Sequence, residues 1–277
     1  MLEVRNLTKY FDISGGLLSR FSSGLKLLKA VDHICFFVPE GKTFGLVGES
    51  GCGKSTTARL ITRLIPATEG EVFFHGRDIL RLPKQELREL RRHIQMIFQD
   101  PYASLNPRMR VIDVVGRPLT LFQGLKGQKK IDRAAELLDL VGLHDFRDFY
   151  PYQLSGGMLQ RVAIARSLAL NPSLLLMDEP FGALDEITRS AMRYELLRIW
   201  DANPGAAGPK TVLFVTHSIS EAIILADRII VLRSRPGSVR ADIEVELPRP
   251  RTREMERSQP FLDYSDWLRG MLEEEAA

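Results

Sequence analysis

The sequence predicts an α/β fold: a mostly parallel sheet core with an antiparallel β edge subdomain and an inserted helical subdomain. Five short apolar runs carry the first part of that expectation: TFGLV (43–47), HIQMIF (93–98), SLLLM (173–177), TVLFV (211–215) and RIIVL (228–232). Runs of this kind, bounded by Gly, Pro and Asp, suit strands buried on both faces, as in a parallel sheet flanked by helices. The first segment, LEVRNL, alternates instead and suits an exposed antiparallel edge with VDHICFFV (31–38). Between Gln99 and about Asn171 the period changes to three and four, in VIDVVGRPLTLF, KKIDRAAELLDLVGL and GGMLQRVAIARSLAL. That stretch reads as helices interrupting the core.

The expected organisation is one unit over residues 1–277. Residues 1–99 and 172–250 form the α/β core, 100–171 the helical subdomain, and 251–277 a C-terminal linker with a short helix. The linker is read from the charged, proline-broken PRPRTREMERSQP before FLDYSDWLRGML. Residues 12–28, DISGGLLSRFSSGLKLL, read as a surface loop between edge strands, against the alternative of a membrane or partner contact.

Bulk properties exclude several classes. An apolar fraction of 44% and a charged fraction of 26% are those of an ordinary globular chain. A net charge of +3 gives no electrostatic footprint for nucleic acid, so none is expected as a partner. Cys35 and Cys52 make neither a disulfide framework nor a metal pattern, which fits a reducing, cytoplasmic compartment. The start, MLEVRNLTKYF, lacks the apolar segment of a signal peptide. Runs such as LLLM and AIILA fall far short of the roughly 20 residues that span a bilayer, so any work at a membrane goes through a partner.

GLVGESGCGKSTTARLI matches G-x-x-x-x-G-K-[ST] at Gly48, Gly53, Lys54 and Ser55. In such a loop, spanning Gly48, Glu49, Ser50, Gly51, Cys52, Gly53, Lys54, Ser55 and Thr56, glycines let backbone N–H groups close on phosphate oxygens. Lys54 neutralises β/γ charge and Ser55 offers a hydroxyl to Mg²⁺. A strand enters the loop and a helix leaves it, which places the core in the P-loop NTPase (RecA-like) class. SLLLMDEPFGALD puts Asp178 and Glu179 directly after a buried strand. Asp178 suits the Mg²⁺ side and Glu179 the attacking water; acids at strand ends also cap helices. Gln99 and His217 end strands in the same way, at the sheet edge where open α/β folds bind ligands. Gln99 is a candidate for Mg²⁺ or the water and His217 for the γ-phosphate, although a lone loop Gln or His is often only a satisfied surface group.

YQLSGGMLQR (152–161) contains no group capable of acid–base chemistry. Ser155, Gly156 and Gly157 at a helix start instead offer a hydroxyl, two N–H groups and a positive helix end, all suited to a γ-phosphate. Carried on the helical insert, this cradle is expected to serve the nucleotide of a second copy, in a head-to-tail dimer.

Taken in order, GESGCGKST, IFQDP, LSGGM, LLLMDEP, GALD and VTHS resemble the Walker A, Q-loop, signature, Walker B, D-loop and switch motifs of the ATP-binding subunit of ATP-binding-cassette (ABC) transporters. The resemblance covers essentially the whole chain. It implies ATP and Mg²⁺ as cofactors, an aromatic from LTKYF on adenine (Tyr10, with Phe11 as rival) and Asp185 linking the two sites. The partners implied are a second ATP-binding subunit, integral membrane permease subunits and, indirectly, an extracytoplasmic binding protein. The location implied is peripheral, on the cytoplasmic face of the inner membrane. The signature departs from the common LSGGQ at Met158, but the phosphate-facing residues are unchanged. VGESGCGKST and FQDPYASLNPRMRV resemble dipeptide, oligopeptide and nickel importers. From YQLSGGM onward the chain resembles nitrate, sulfonate and taurine importers. The substrate therefore reads as peptide-like or as a small anion. Two rivals remain: a soluble ABC ATPase acting on DNA or ribosomes, which usually carries coiled-coil or second-cassette features not seen here, and a simple P-loop kinase or GTPase, which has no use for LSGG.

Overall fold

Two sheets organise the computed structural model, which describes residues 1–14, 26–202, 210–234 and 236–273. In chain order the first elements are β1 (Leu2–Asp12), β2 (Leu27–Val38), β3 (Thr43–Val47), α1 (Lys54–Ile61), β4 (Glu69–Phe74) and β5 (Arg77–Asp78). Then come α2 (Lys84–Leu90), β6 (Ile94–Ile97), and four helices: α3 (Pro101–Ser104), α4 (Val111–Gln123), α5 (Gly127–Leu140) and α6 (Gly156–Leu168). The remainder is β7 (Leu174–Asp178), α7 (Glu186–Ala202), β8 (Thr211–Thr216), α8 (Ile219–Leu225), β9 (Arg228–Arg233), β10 (Ser238–Glu244) and α9 (Gln259–Glu273).

All five apolar runs fall in one six-stranded sheet of order β10-β9-β3-β8-β7-β6. Every pairing within it is parallel except that of β10 with β9. A four-stranded antiparallel sheet, β2-β1-β4-β5, covers one face. Side chains alternate along each central strand, and the two core clusters follow that alternation. From β7, Leu174 and Leu176 join the cluster with Leu2, Val4 and Ile34 of the antiparallel sheet. Leu175 and Met177 point the other way, into the helical cluster with Leu159, Val162 and Ile223. The strand has no polar face because it is covered twice.

The β1–β2 ladder runs further than the alternating segments suggested. Tyr10 pairs with Lys29, Phe11 with Leu28 and Asp12 with Leu27, so both ends of the expected 12–28 loop are strand. Residues 15–25 of that loop lie outside the described residues. The ladder persists because main-chain pairing does not require a hydrophobic face, and Leu27 and Leu28 are both exposed on it.

The segment expected as a linker is anchored. Arg251 is 5% exposed and donates to the carbonyls of Ile223, Ile224, Ala226, Val245 and Leu247. Burial lowers its pKa to about 10. Three of those carbonyls belong to the C-terminal end of α8, where a cation also meets the negative helix end. Composition alone reads Pro and Arg as solvent-exposed spacing; here the arginine spans the end of a helix and the segment that follows β10. Arg251→Ala leaves several buried acceptors unpaired and is expected to lower stability by roughly 3 kcal/mol. Denaturant unfolding of the purified chain measures it.

Candidate functional site

Four loops meet at the carboxyl edge of the parallel sheet, one each after β3, β6, β7 and β8. Between β3 and α1 the phosphate loop turns tightly. Gly53 has φ 94° and caps α1, and a Cβ there would lie 2.2 Å from the Ala30 carbonyl. Only glycine fits such a position. A Cβ on Gly48 would lie 2.5 Å from Cys52 Sγ. Lys54, 4% exposed, folds back and donates to the carbonyls of Gly48 at 2.7 Å and Glu49 at 2.6 Å.

Strand β7 ends on the two acids, and the backbone separates them. Asp178 closes the strand; Glu179 takes φ 44°, the left-handed region that non-glycine residues rarely occupy. Its N–H donates to Val215 at 2.9 Å, which holds the turn against β8. Strained backbone of this kind is characteristic of functional loops. Asp178 is 1% exposed, and its Oδ1 accepts the Ser55 hydroxyl at 2.6 Å. Burial raises the Asp178 pKa above the ordinary carboxylate range, opposed by the Ser55 bond and by Arg59.

Glu179 Oε2 accepts Gln99 Nε2 at 3.1 Å and stands 3.1 Å from His217 Nδ1. Gln99, Glu179 and His217, far apart in sequence, thus converge on one oxygen. Gln99 engages Glu179 and not the Ser55–Asp178 pair. Asp185 caps α7 by accepting the Thr188 N–H at 3.0 Å, and that bond lowers its pKa. Ser155 caps α6, accepting from Met158 N at 3.3 Å, and is exposed. Among the described residues, no hydrogen bond joins residues 155–157 to the phosphate loop of the same chain. Gly157 instead abuts α7, where a Cβ would meet Thr188 Cγ2 at 2.9 Å.

At the β1–β2 ladder, the Tyr10 hydroxyl donates to Asp32 and Lys29 Nζ lies 5.0 Å from the ring centroid. The neighbouring Phe11 ring is 37% exposed, with Lys9 Nζ 5.0 Å from its centroid. Arg59 is an addition to the residues singled out from the sequence. It follows Ser55 by four on α1, a spacing that puts both on one helix face, and its guanidinium stands 3.8 Å from Asp178 Oδ2.

Residues 31–182 match the family described as ABC transporter. The chain belongs to that family. An uncharacterized ABC transporter ATP-binding protein of Methanocaldococcus jannaschii is 40% identical over 99% of this chain and 92% of its own length. The oligopeptide transport ATP-binding protein AppF of Bacillus subtilis is 41% identical over 84% of this chain and 69% of its own. The taurine import ATP-binding protein TauB of Rhizobium johnstonii is 40% identical over 89% and 90%. Among solved structures, a dimeric ATP-binding cassette in a post-hydrolysis state, bound to ADP and phosphate, superposes with a TM-score of 0.75. It is 32% identical and covers 90% of this chain and 100% of its own. The four loops therefore belong to an ABC cassette, a family that couples ATP hydrolysis to transport.

Whether the residues present suit Mg²⁺ is tested by the orphaned oxygen. Asp178 Oδ2 is buried without a hydrogen-bond partner, beside the Ser55 hydroxyl bound to Oδ1. A hard cation prefers such oxygens, so the donor set fits. A buried carboxylate with one oxygen that no hydrogen bond satisfies costs the fold stability at neutral pH, only partly offset by Arg59 at 3.8 Å. Asp178→Asn is therefore expected to raise the melting temperature by a few degrees in magnesium-free buffer, on the order of 1 kcal/mol. The same variant is expected to lose Mg²⁺-dependent ATP hydrolysis.

Proposed function

We propose that the chain is the ATP-hydrolysing subunit of an importer, acting at the cytoplasmic face of the inner membrane with a second ATP-binding subunit and membrane-embedded permease subunits. An extracytoplasmic binding protein would deliver the substrate. The observation that carries the reading is the meeting of Gln99, Glu179 and His217 at one carboxylate oxygen on the edge that also bears the phosphate loop.

The residues divide the work. Loop residues Gly48–Thr56 cradle the phosphates. Lys54, now on its own loop carbonyls, exchanges them for phosphate oxygens of comparable reach. Ser55 and Asp178 would hold Mg²⁺, which supplies positive charge to the β and γ oxygens when the nucleotide carries it in. Glu179 accepts a proton from the attacking water, while Gln99 and His217 orient its carboxylate; His217 also reaches the γ-phosphate. Ser155, Gly156 and Gly157 of the partner subunit close over that phosphate, and Asp185 lies at the same seam. The exposure of Ser155 and its lack of bonds to its own phosphate loop support a site completed in trans. The base stacks on an aromatic of β1. Tyr10 is held through its hydroxyl, whereas Phe11 carries no such tie.

A groove of about 370 Å³ between the core and the helices supports docking of the membrane subunits. Ile61, Leu87, Phe98, Pro118 and Phe122 line it, and its apolar character suits an amphipathic helix. ATP binding closes the dimer because the closed state binds nucleotide better; hydrolysis removes that preference and the dimer reopens. The helices of residues 101–168, which form one wall of the groove and include α6 with Ser155 as its cap, transmit that motion. Similarity to both oligopeptide and taurine systems leaves a peptide-like or small sulfonate substrate.

Glu179→Gln is expected to bind ATP and dimerise while hydrolysing it at about 1% of the normal rate or less. Size-exclusion chromatography with and without ATP, beside a phosphate-release assay, reads both. Full turnover by this variant would refute the assignment. In the same background, alanine at Tyr10 or Phe11 weakens ATP-induced dimerisation only where that ring carries the base. Phe122→Glu should abolish copurification with the membrane subunits and leave dimerisation intact.

A further inference from the structure

Beyond the loops already assigned, one buried acid has no role in binding phosphate or metal. Glu221, 3% exposed, lies in the first turn of α8, four residues after His217. Its carboxylate accepts the Thr216 hydroxyl at 2.5 Å. The same Thr216 oxygen accepts the Ser218 N–H at 3.0 Å. Ser218 Oγ in turn accepts the Glu221 N–H at 3.4 Å.

An ordinary capping box has the third helical residue accept directly from the N-cap N–H. Here the direct contact is replaced by a relay. The Thr216 hydroxyl stands between the Ser218 N–H and the Glu221 carboxylate, so residues on both sides of His217 are tied to one buried group. A hydroxyl can accept one hydrogen bond while donating another, which makes threonine, and not valine, the residue for that point.

The surroundings keep the acid in place. Arg193, Arg189 and His217 act on it electrostatically and oppose the effect of burial, which raises its pKa. Arg193 is itself 4% exposed and stands 3.6 Å from both Glu186, the first residue of α7, and Glu256 of the tail. At the far end of α8, Arg251 holds the last carbonyls. The short helix behind His217 is therefore pinned at both ends.

The geometry points to Glu221 and Thr216 as positioning residues that hold the His217 loop in the orientation needed for hydrolysis. This rests on the ATPase reading above. Loss of either end of the relay frees the His217 backbone while leaving the phosphate loop, on a different strand, untouched. The signature is a loss in turnover without a loss in nucleotide binding.

The test uses the full chain in a steady-state ATPase assay, with melting curves for every variant. Thr216→Val keeps the volume and removes the relay hydroxyl. It is expected to lower kcat about tenfold or more, with the KM for ATP within about twofold, since small misplacements at a reacting centre are costly. Glu221→Ala should show the same split. The double variant should be no slower than the slower single one, because both break one relay. Glu221→Gln retains an acceptor and should recover most of the turnover. Should Glu221→Ala fail to fold, Thr216→Val and Glu221→Gln decide the matter. Wild-type kcat in Thr216→Val, a glutamine variant as slow as the alanine one, or losses that add would overturn the inference and leave the ATPase assignment standing. A wild-type chain without ATPase activity would overturn the assignment and this inference with it.

Discussion

The hydrogen bond from the Ser55 hydroxyl to Asp178 is the contact on which the site depends. Its 2.6 Å length joins residues 123 positions apart and fastens the start of α1 to the end of β7. Strand β8 lies between β3 and β7 in the sheet, so the phosphate loop and the acids are not neighbours through main-chain pairing. The side-chain bond spans that gap. It also satisfies one oxygen of a carboxylate held at 1% exposure, while the Arg59 guanidinium stands 3.8 Å from the other.

Around that contact the sheet edge divides into two groups of different character. The phosphate loop, Ser55 and Asp178 form a buried charge pocket in which Lys54 and Arg59 balance the acid. Gln99, Glu179 and His217 form a more open polar cluster one step further out. The change in backbone direction at Glu179 gives the adjacent acids different settings, Asp178 enclosed and Glu179 more open. The signature residues belong to neither group within one chain. Their helix start packs against the first turn of α7, at Thr188, whose N–H donates to Asp185.

Much of the fold was legible because parallel strands buried on both faces leave continuous apolar runs, and helical inserts leave a period near 3.6. Each of the five runs lies in the central sheet. The edge ladder was less legible, since strands with an exposed face continue by main-chain pairing through residues such as Lys29 and Asp12 that carry no strand signal. The anchoring of the tail was less legible for a related reason. Arg251 gives the composition of a linker, and nothing local reveals that it will meet the end of α8.

The sequence alone determined which polar and glycine groups each loop carries, because glycine spacing, a lysine and terminal acids act through local backbone geometry and are readable where they stand. Tertiary structure decided which of those groups share an atom. Gln99 and His217 lie 80 and 38 positions from Glu179, and only the strand order brings both to its Oε2. It also decided the left-handed turn at Glu179, imposed by a bond to the neighbouring strand, and the relay behind His217. The S-x-x-E spacing at 218–221 hints at a cap, but the capture of the Thr216 hydroxyl by a buried acid follows from the packing of α8 against its surroundings, which no local pattern encodes.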